Sequence, residues 1–184
     1  MRRIIAYLAT SADGFIARGN GAVEWLDRED PPGGYGMPRF YRSVDTVIMG
    51  RKTWDVGRRL GQPLYPGKVN YVLSRTRRRS SKGITLWRGP VGRLATALRR
   101  TPGRDIWLVG GAEVFGAFLD AGQLDQLIVH VVPVLIGAGI PLLAPRRREV
   151  PLRLLGSQRF SDGVVRLHYA VGETRAPRRP AGTA

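Results

Sequence analysis

The chain has 184 residues, of which 43% are hydrophobic, and 30 lysines and arginines against 14 aspartates and glutamates give it a net charge of +16 at pH 7. A chain of this length and composition is typical of one domain with one hydrophobic core. It contains no cysteine, which excludes disulfide scaffolds, thiolate zinc sites, iron–sulfur clusters and cysteine nucleophiles, and we predict no metal site.

The first two-thirds of the chain alternate short apolar strands with helical segments. The first strand, at 3–8, is rich in β-branched and aromatic side chains and leads into a Ser-Asp-Gly loop. Helices are predicted where apolar side chains repeat with helical spacing, and strands where an apolar run ends at a turn signal. In chain order these elements are a helix at 37–42, a strand at 45–49, a helix at 52–59, strands at 69–73 and 84–87, a helix at 91–100, a strand at 106–109 and a helix at 112–119.

The last third of the chain predicts a strand followed by an antiparallel hairpin. Residues 127–132 are an apolar strand, and the strands 152–160 and 164–170 flank an Asp-Gly turn signal. The residues at 172–184 are rich in Arg, Pro, Gly and Thr, so we predict a disordered basic tail after a single domain at 1–171. Strands alternating with helices before a closing hairpin predict an α/β fold with a mainly parallel sheet, covered on both faces.

No apolar run in the sequence is long enough to cross a membrane. The N-terminal run after Arg2 and Arg3 is too short for a secretory signal, and the longest apolar stretch, 127–136, is interrupted by His130 and Pro133. We therefore predict a cytoplasmic protein with no membrane partner.

The excess of positive charge leaves a nucleic-acid-binding function open. Most of the charge is arginine, concentrated at 75–82, at 146–148 and in the tail at 175–179, and a basic surface attracts polyanions. These arginines lie in predicted turns and in the tail, and no RNP, KH, zinc-finger or helix-turn-helix pattern accompanies them. A basic nucleic-acid-binding protein is the alternative from another functional class, although we expect no specific nucleic-acid partner.

Three short motifs follow predicted strands, where α/β sheets bind ligands. Gly50-Arg51-Lys52-Thr53-Trp54 begins a helix, whose free N–H groups, two cations and a hydroxyl suit a phosphate. Leu73-Ser74-Arg75-Thr76 offers hydroxyls and a guanidinium to a terminal phosphate. Val109-Gly110-Gly111-Ala112-Glu113 has two glycines that let a backbone approach a pyrophosphate. Each motif alone also fits an ordinary turn, but together they indicate an extended, multiply phosphorylated ligand.

These motifs belong to an ordered set of five. Ser11-Ala12-Asp13-Gly14-Phe15-Ile16-Ala17 precedes them, Val47-Ile48-Met49 extends the first of them, and Val132-Pro133-Val134-Leu135-Ile136-Gly137 follows them. In order and spacing the set resembles the dihydrofolate-reductase-like superfamily, and more closely its branch that contains the reductase domain of riboflavin biosynthesis. The resemblance extends over residues 1–171. It implies a three-layer α/β/α fold around a mostly parallel sheet of about eight strands with an antiparallel C-terminal hairpin.

The resemblance also implies a cofactor, NADPH, and the residues that hold it. Arg51 and Arg75 would face the 2′-phosphate, which favours NADPH over NADH, and Lys52 and Thr53 would meet the pyrophosphate. The full set of predicted cofactor-binding residues is Ala9, Ile16, Gly50, Arg51, Lys52, Thr53, Ser74, Arg75, Thr76, Val109, Gly110, Gly111, Ala112, Glu113 and Val114.

The implied reaction is transfer of a hydride from NADPH to a pterin-like or phosphoribosylaminopyrimidine-like ring, with a proton delivered to the adjacent heteroatom. The segment 27–36 is longer and richer in proline and glycine than the part of dihydrofolate reductases that carries the catalytic carboxylate. The catalytic candidates are therefore several, each with a purely structural role as its alternative: Asp30, Asp13 and His130. Substrate-binding candidates are Trp25 and Phe40.

A protein of the same fold that binds a dinucleotide without turnover is an alternative to the reductase, because the proton donor is not evident. The apolar hairpin at 152–170 could support a homodimer.

Overall fold

The computed structural model describes residues 1–61, 64–76, 82–145 and 149–172. The predicted tail from 173 onwards, the arginines at 77–79 and the cluster at 146–148 lie outside the described residues. Within the described parts, strands and helices alternate as the sequence predicts. The strands are β1 (Ile4–Ser11), β2 (Phe15–Ala17), β3 (Val44–Gly50), β4 (Val69–Leu73), β5 (Ile84–Trp87), β6 (Asp105–Gly110), β7 (Gln126–Val132), β8 (Ile140–Pro141), β9 (Leu152–Arg159) and β10 (Val165–Val171). The α-helices are α1 (Met37–Ser43), α2 (Arg51–Arg59), α3 (Val91–Arg100) and α4 (Ala112–Asp120), and short 3-10 helices lie at Glu24–Leu26 and Gly34–Gly36.

The main sheet has eight strands in the order β5-β4-β3-β6-β1-β7-β10-β9. The first six strands in this order run parallel, whereas β10 is antiparallel to both β7 and β9. This confirms the predicted α/β class, the strand number and the antiparallel C-terminal hairpin. The sequence analysis missed the separate two-stranded sheet of β2 and β8, because strands of three and two residues are too short to show an alternating pattern.

Helices cover both faces of this sheet. On one face, Leu94 and Leu98 of α3 and Phe115 and Phe118 of α4 pack against the central strands. On the other face, α1 and α2 contribute Phe40 and Trp54 to a second cluster that contains Tyr7 and Trp107. Because a central strand is buried on both faces, its sequence is a continuous apolar run rather than an alternating one. The predicted three-layer arrangement is confirmed.

The amino ends of the parallel strands are joined by arginine–carboxylate pairs. Arg2 is 7% exposed and forms an ion pair with Asp45 at the start of β3, and its guanidinium also donates to Thr101 Oγ1 at 3.0 Å. Arg99 of α3 contacts Asp125, just before β7, at 2.7 Å. These pairs connect segments that are distant in the chain, so the sequence analysis did not find them.

Strand β9 is the edge strand at the end of the sheet away from β5, and it is exposed along its whole length. Leu152, Leu154 and Leu155 are 45%, 55% and 41% exposed. They lie in the hairpin where the sequence predicts a homodimer contact. None of the helices in the described residues is both long and apolar enough to cross a membrane.

Candidate active site

The three phosphate-type motifs meet at the carboxyl edge of the sheet. Strand β3 lies between β4 and β6, and its register places Gly50 beside Leu73 and Met49 beside Gly110. Helix α2 begins at Arg51 and helix α4 begins at Ala112, each directly after its strand. Two helix N-termini and the turn after β4 therefore lie next to one another, because parallel neighbouring strands end at the same edge.

A hydrogen bond links two of these motifs. The Gly111 N–H donates to Thr53 Oγ1 at 2.9 Å, so the hydroxyl of α2 satisfies a donor in the turn before α4. The approach is close, since a Cβ on Gly50 would lie 3.0 Å from Val114 Cγ2 and a Cβ on Gly111 would lie 3.3 Å from Thr53 Oγ1. Glycine at both positions lets the two turns pack against each other.

Gly110 faces open space. A Cβ at this position would meet no atom within 4 Å, and its φ of +105° is one that L residues rarely adopt. The peptide bond from Gly110 to Gly111 is cis. The strand end thus presents bare backbone toward a free volume, which fits a ligand passing close to it.

The cations at this edge are paired weakly or not at all. Arg51 contacts Asp55, one helical turn further along α2, at 2.7 Å, and Arg75 lies 3.8 Å from Glu113 with side chains that are 92% and 74% exposed. Lys52 makes no ion pair within the described chain. Exposed pairs of this kind contribute little to stability, so these cations remain available to an anion.

The loop after β1 is hydrogen-bonded to the segment after β7. Asp13 accepts hydrogen bonds from the N–H groups of Gly137 at 2.8 Å and of Ile136 at 3.1 Å. Its pKa is lowered, first by a hydrogen bond with the Ser11 side chain and then by these backbone donors. Ile16 lies on β2, which pairs with β8 in the same region. Both of these backbone hydrogen bonds to Asp13 end on Oδ2, and the Ile136 N–H also reaches Oδ1 at 3.3 Å, so both oxygens of Asp13 have a structural task.

A polar cluster lies behind this loop, on the face that carries α1. His130 of β7 sits beside Ala9 of β1 in register and is 5% exposed. The Tyr7 hydroxyl donates to the Tyr35 carbonyl at 3.0 Å, and His130 Nε2 lies 3.3 Å from the same carbonyl and 3.4 Å from the hydroxyl. Phe40 is 8% exposed and stacks on Tyr7 with a centroid separation of 4.4 Å.

Burial sets the ionisation of this cluster. It lowers the pKa of His130, although hydrogen bonds to the carbonyls of Tyr35 and Leu8 act in the opposite direction. It also raises the pKa of Tyr7 to about 12. Both side chains are therefore neutral at pH 7, and His130 offers a neutral imidazole rather than an imidazolium.

The segment that covers the cluster has an unusual backbone. Gly33, Gly34, Tyr35 and Gly36 all have positive φ, and Tyr35, at +53°, is the non-glycine among them. Such a conformation costs an L residue about 1–2 kcal/mol. The surroundings fix it, since the Tyr35 hydroxyl donates to Asp162 Oδ2 at 2.5 Å and its ring lies edge-on to Phe160 at 5.0 Å.

Trp25 is buried near the carboxyl end of β7. It is 9% exposed and packs with Val132, Phe160 and Val164. Its indole Nε1 is buried, and no acceptor among the described residues lies within hydrogen-bonding distance. A buried donor without an acceptor is costly, and the apolar packing around Trp25 has to offset that cost.

Asp30 is exposed, in the segment between the two 3-10 helices. One of its oxygens lies 3.8 Å from the position that a Cβ on Gly34 would occupy, and its negative charge contributes to raising the pKa of Tyr7. No group of three or more His, Cys, Asp or Glu side chains that could hold a metal ion occurs within the described ranges.

The predicted site residues therefore fall into two groups. The cofactor-type motifs come together at one edge, and His130, Asp30, Trp25 and Phe40 lie around the second, aromatic region. Sequence reasoning missed Tyr7 and Tyr35. Two features of the sequence could have indicated them: Tyr7 lies in an otherwise aliphatic first strand, and Tyr35 lies within a glycine-rich stretch.

Comparisons with known proteins identify the family of this chain. Residues 2–166 match the family model described as the RibD C-terminal domain, so the chain belongs to that family. It is 36% identical over 171 residues to an uncharacterized protein, YwjB, of Bacillus subtilis (strain 168), a match that covers 91% of this chain and 97% of that protein.

Solved structures share the fold. A putative riboflavin biosynthesis protein from Shewanella sp. PV-4 superposes with a TM-score of 0.84 at 24% identity, covering 93% of this chain and 99% of that one. Dihydrofolate reductase from Enterococcus faecalis, complexed with NADP(H), superposes with a TM-score of 0.64 at 16% identity, covering 93% and 97%. These superpositions confirm the three-layer fold, and the family match confirms the resemblance to the branch that contains the reductase domain of riboflavin biosynthesis.

Proposed function

We propose that this member of the RibD C-terminal domain family is an NADPH-dependent reductase of a pterin-like or aminopyrimidine-like heterocycle. The observation that carries the proposal is the meeting of the three phosphate-type motifs at the carboxyl edge of the sheet, where Thr53 Oγ1 accepts from the Gly111 N–H. The family and the fold are those of reductases, and the two regions of the site have the chemistry that such a reaction needs.

The residues at the carboxyl edge fit a phosphorylated dinucleotide. Two adjacent helix N-termini provide backbone donors and a favourable potential for a pyrophosphate. Arg51 and Arg75 would hold the 2′-phosphate, and the bare backbone of Gly110 leaves room for the cofactor to pass. When bound, NADPH would supply the hydride, which reduces one C=N or C=O bond as a proton is added to the heteroatom.

The aromatic region fits a flat heterocycle. Trp25 packs at the end of β7 beside this region, and Tyr7 and Phe40 form a stacked aromatic wall. His130 is neutral at pH 7 because burial lowers its pKa, so its role here is to orient the Tyr7 hydroxyl and the Tyr35 carbonyl. Excluding water and fixing the ring contribute to the rate through positioning.

The proton requires a group that exchanges with solvent. Asp30 is exposed and makes no hydrogen bond within the described residues, whereas Asp13 already accepts two backbone N–H groups. Of the three predicted catalytic residues, Asp30 is therefore the one that we assign to proton delivery.

The test is NADPH oxidation by the purified protein with a panel of dihydropterins, quinonoid pterins and aminopyrimidines, followed in wild type and in Asp30→Asn. We expect turnover with at least one compound and a fall in kcat of about 10²–10⁴-fold in the variant, the usual contribution of a general acid. Asp27→Asn, three residues earlier in the same exposed segment, is the matched control and should keep full activity.

The other outcomes identify the alternatives. Binding of NADPH without turnover of any compound would support a non-catalytic dinucleotide-binding protein. Failure to bind NADPH or NADH, together with a steep salt dependence of binding to DNA or RNA, would support the nucleic-acid-binding alternative.

A further inference from the structure

Arg166 is a guanidinium without a counter-ion beside the aromatic region. It lies on β10 directly opposite His130 of β7, and opposed residues of antiparallel strands project from the same face of a sheet. Its side chain is partly buried. Within the described parts of the chain it makes no hydrogen bond and no ion pair.

Other arginines with comparable burial are paired. Arg2 contacts Asp45 and Arg99 contacts Asp125. A charge taken partly out of water is costly unless an opposite charge or hydrogen bonds compensate it. Arg166 is thus left with the cost of desolvation and without the compensation that Arg2 and Arg99 receive.

The guanidinium reaches the segment that covers His130. Its Nη1 lies 2.9 Å from the position that a Cβ on Gly36 would occupy, which places the guanidinium against this segment. Its positive charge opposes the burial that raises the pKa of Tyr7, and it adds to the burial that lowers the pKa of His130. The free guanidinium therefore lies close to the same two side chains that line the proposed heterocycle site.

We propose that Arg166 binds an anionic substituent of the substrate, a phosphate or a carboxylate, and so selects heterocycles that carry one. This inference rests on the proposed function for the identity of the ring, but the anion site itself is independent of NADPH. A guanidinium holds an oxyanion with two parallel N–H···O bonds, which a lysine cannot reproduce. Arg166 is a specificity residue in this account and takes no part in hydride or proton transfer.

The test measures binding without cofactor, by quenching of tryptophan fluorescence, for two matched pairs of probes. One pair is 5-amino-6-(5-phosphoribosylamino)uracil and the same compound without its phosphate, and the other is a dihydropterin with and without a carboxylate. We expect wild type to bind the anionic member of one pair about ten- to hundredfold more tightly, because hydrogen bonding to a charged group contributes about 1.5–3 kcal/mol. The pair that shows the preference identifies the anion.

Arg166→Met should remove this preference and leave the affinity for the neutral member unchanged, which also shows that the site is folded. Arg166→Lys should restore only part of it. The matched control is Arg159→Met, which removes the same charge from the adjacent strand β9. Arg159 is opposite Val165, so its side chain projects from the other face of the sheet.

Two results would overturn the inference: wild type that binds both members of each pair equally, or Arg166→Met and Arg159→Met variants that lose the same affinity. Either can occur in a protein that binds and oxidises NADPH. Conversely, an Arg166-dependent preference in a protein that binds no NADPH would contradict the proposed function alone.

Discussion

The positively charged side chains at the amino ends of the parallel strands (the amino edge) and at their carboxyl ends (the carboxyl edge) have different partners. At the amino edge Arg2 is buried and Arg99 nearly so, and each is paired with a carboxylate that opens or precedes another strand. At the carboxyl edge Lys52 and Arg75 are exposed, and Arg51 is partly exposed with a carboxylate only on its own helix. Arginines at the first edge stabilise the fold, whereas cations at the second are free to meet a ligand. Net charge alone, +16, does not distinguish these roles.

The largest effect is expected for loss of the Arg2–Asp45 ion pair at the amino edge, which should lower the free energy of unfolding. Arg2→Met removes the partner of Asp45 and the donors to Thr46 and Thr101, and each hydrogen bond of such a charged group contributes about 1.5–3 kcal/mol. Urea unfolding should show this loss in the free energy of unfolding. The affinity for NADPH, measured under conditions where the variant is folded, should stay unchanged. A variant as stable as wild type would contradict the structural role of this edge.

Among the substitutions at the carboxyl edge, Gly110→Ala should lower the affinity for NADPH the most. The φ of +105° disfavours an L residue by about 1–3 kcal/mol, and the added methyl would occupy the open space beside the strand end. We expect NADPH binding to fall by more than about a hundredfold, which corresponds to about 3 kcal/mol. The control is Gly92→Ala in α3, where a Cβ also meets no atom within 4 Å but φ is ordinary. That variant should bind NADPH normally.

Thr53→Val tests the contact between the two helix N-termini. The variant leaves the Gly111 N–H without its acceptor at 2.9 Å, which costs about 1–3 kcal/mol of stability and should weaken NADPH binding through the displaced turn. Thr53→Ser keeps the hydroxyl and should behave like wild type. If the Val and Ser variants have the same stability and the same affinity for NADPH, this hydrogen bond contributes to neither.

The smallest effect concerns pH. Burial lowers the pKa of His130 below its ordinary value of 6.5, so at pH values between the folded and unfolded pKa the unfolded chain binds more protons. Stability then rises with pH in that window and falls as the pH drops from about 7 through 6.5. His130→Gln should reduce the change in unfolding free energy between about pH 7.5 and 5.5. His168→Gln measures the contribution of the other histidine, whose pKa burial also lowers.

Much of the carboxyl edge could be predicted from the sequence, because its parts are local. Each motif is a strand, a turn and a helix start within a few residues, and parallel strands bring such turns together without further information. Strand 45–49 is observed at Val44–Gly50, and the helix at 91–100 is observed at those residues.

The aromatic region could not be predicted in this way. The contacts of His130 with Tyr35 and Tyr7 span 95 and 123 residues, and they depend on four consecutive residues with positive φ, Gly33 to Gly36. Local pattern does not specify such a backbone. The solitary guanidinium of Arg166 is likewise evident only when strand register and the partners of the other arginines are known.

The most direct test of the central claim is a titration of the purified protein with NADPH and NADH, followed by quenching of tryptophan emission, in wild type, Arg51→Ala and Arg59→Ala. The two variants remove the same charge from opposite ends of α2. We expect wild type to prefer NADPH and Arg51→Ala to lose about tenfold or more of that affinity, the effect of one charged hydrogen bond, whereas Arg59→Ala should keep it. Wild type that binds neither nucleotide, or two variants that bind NADPH equally, would contradict it.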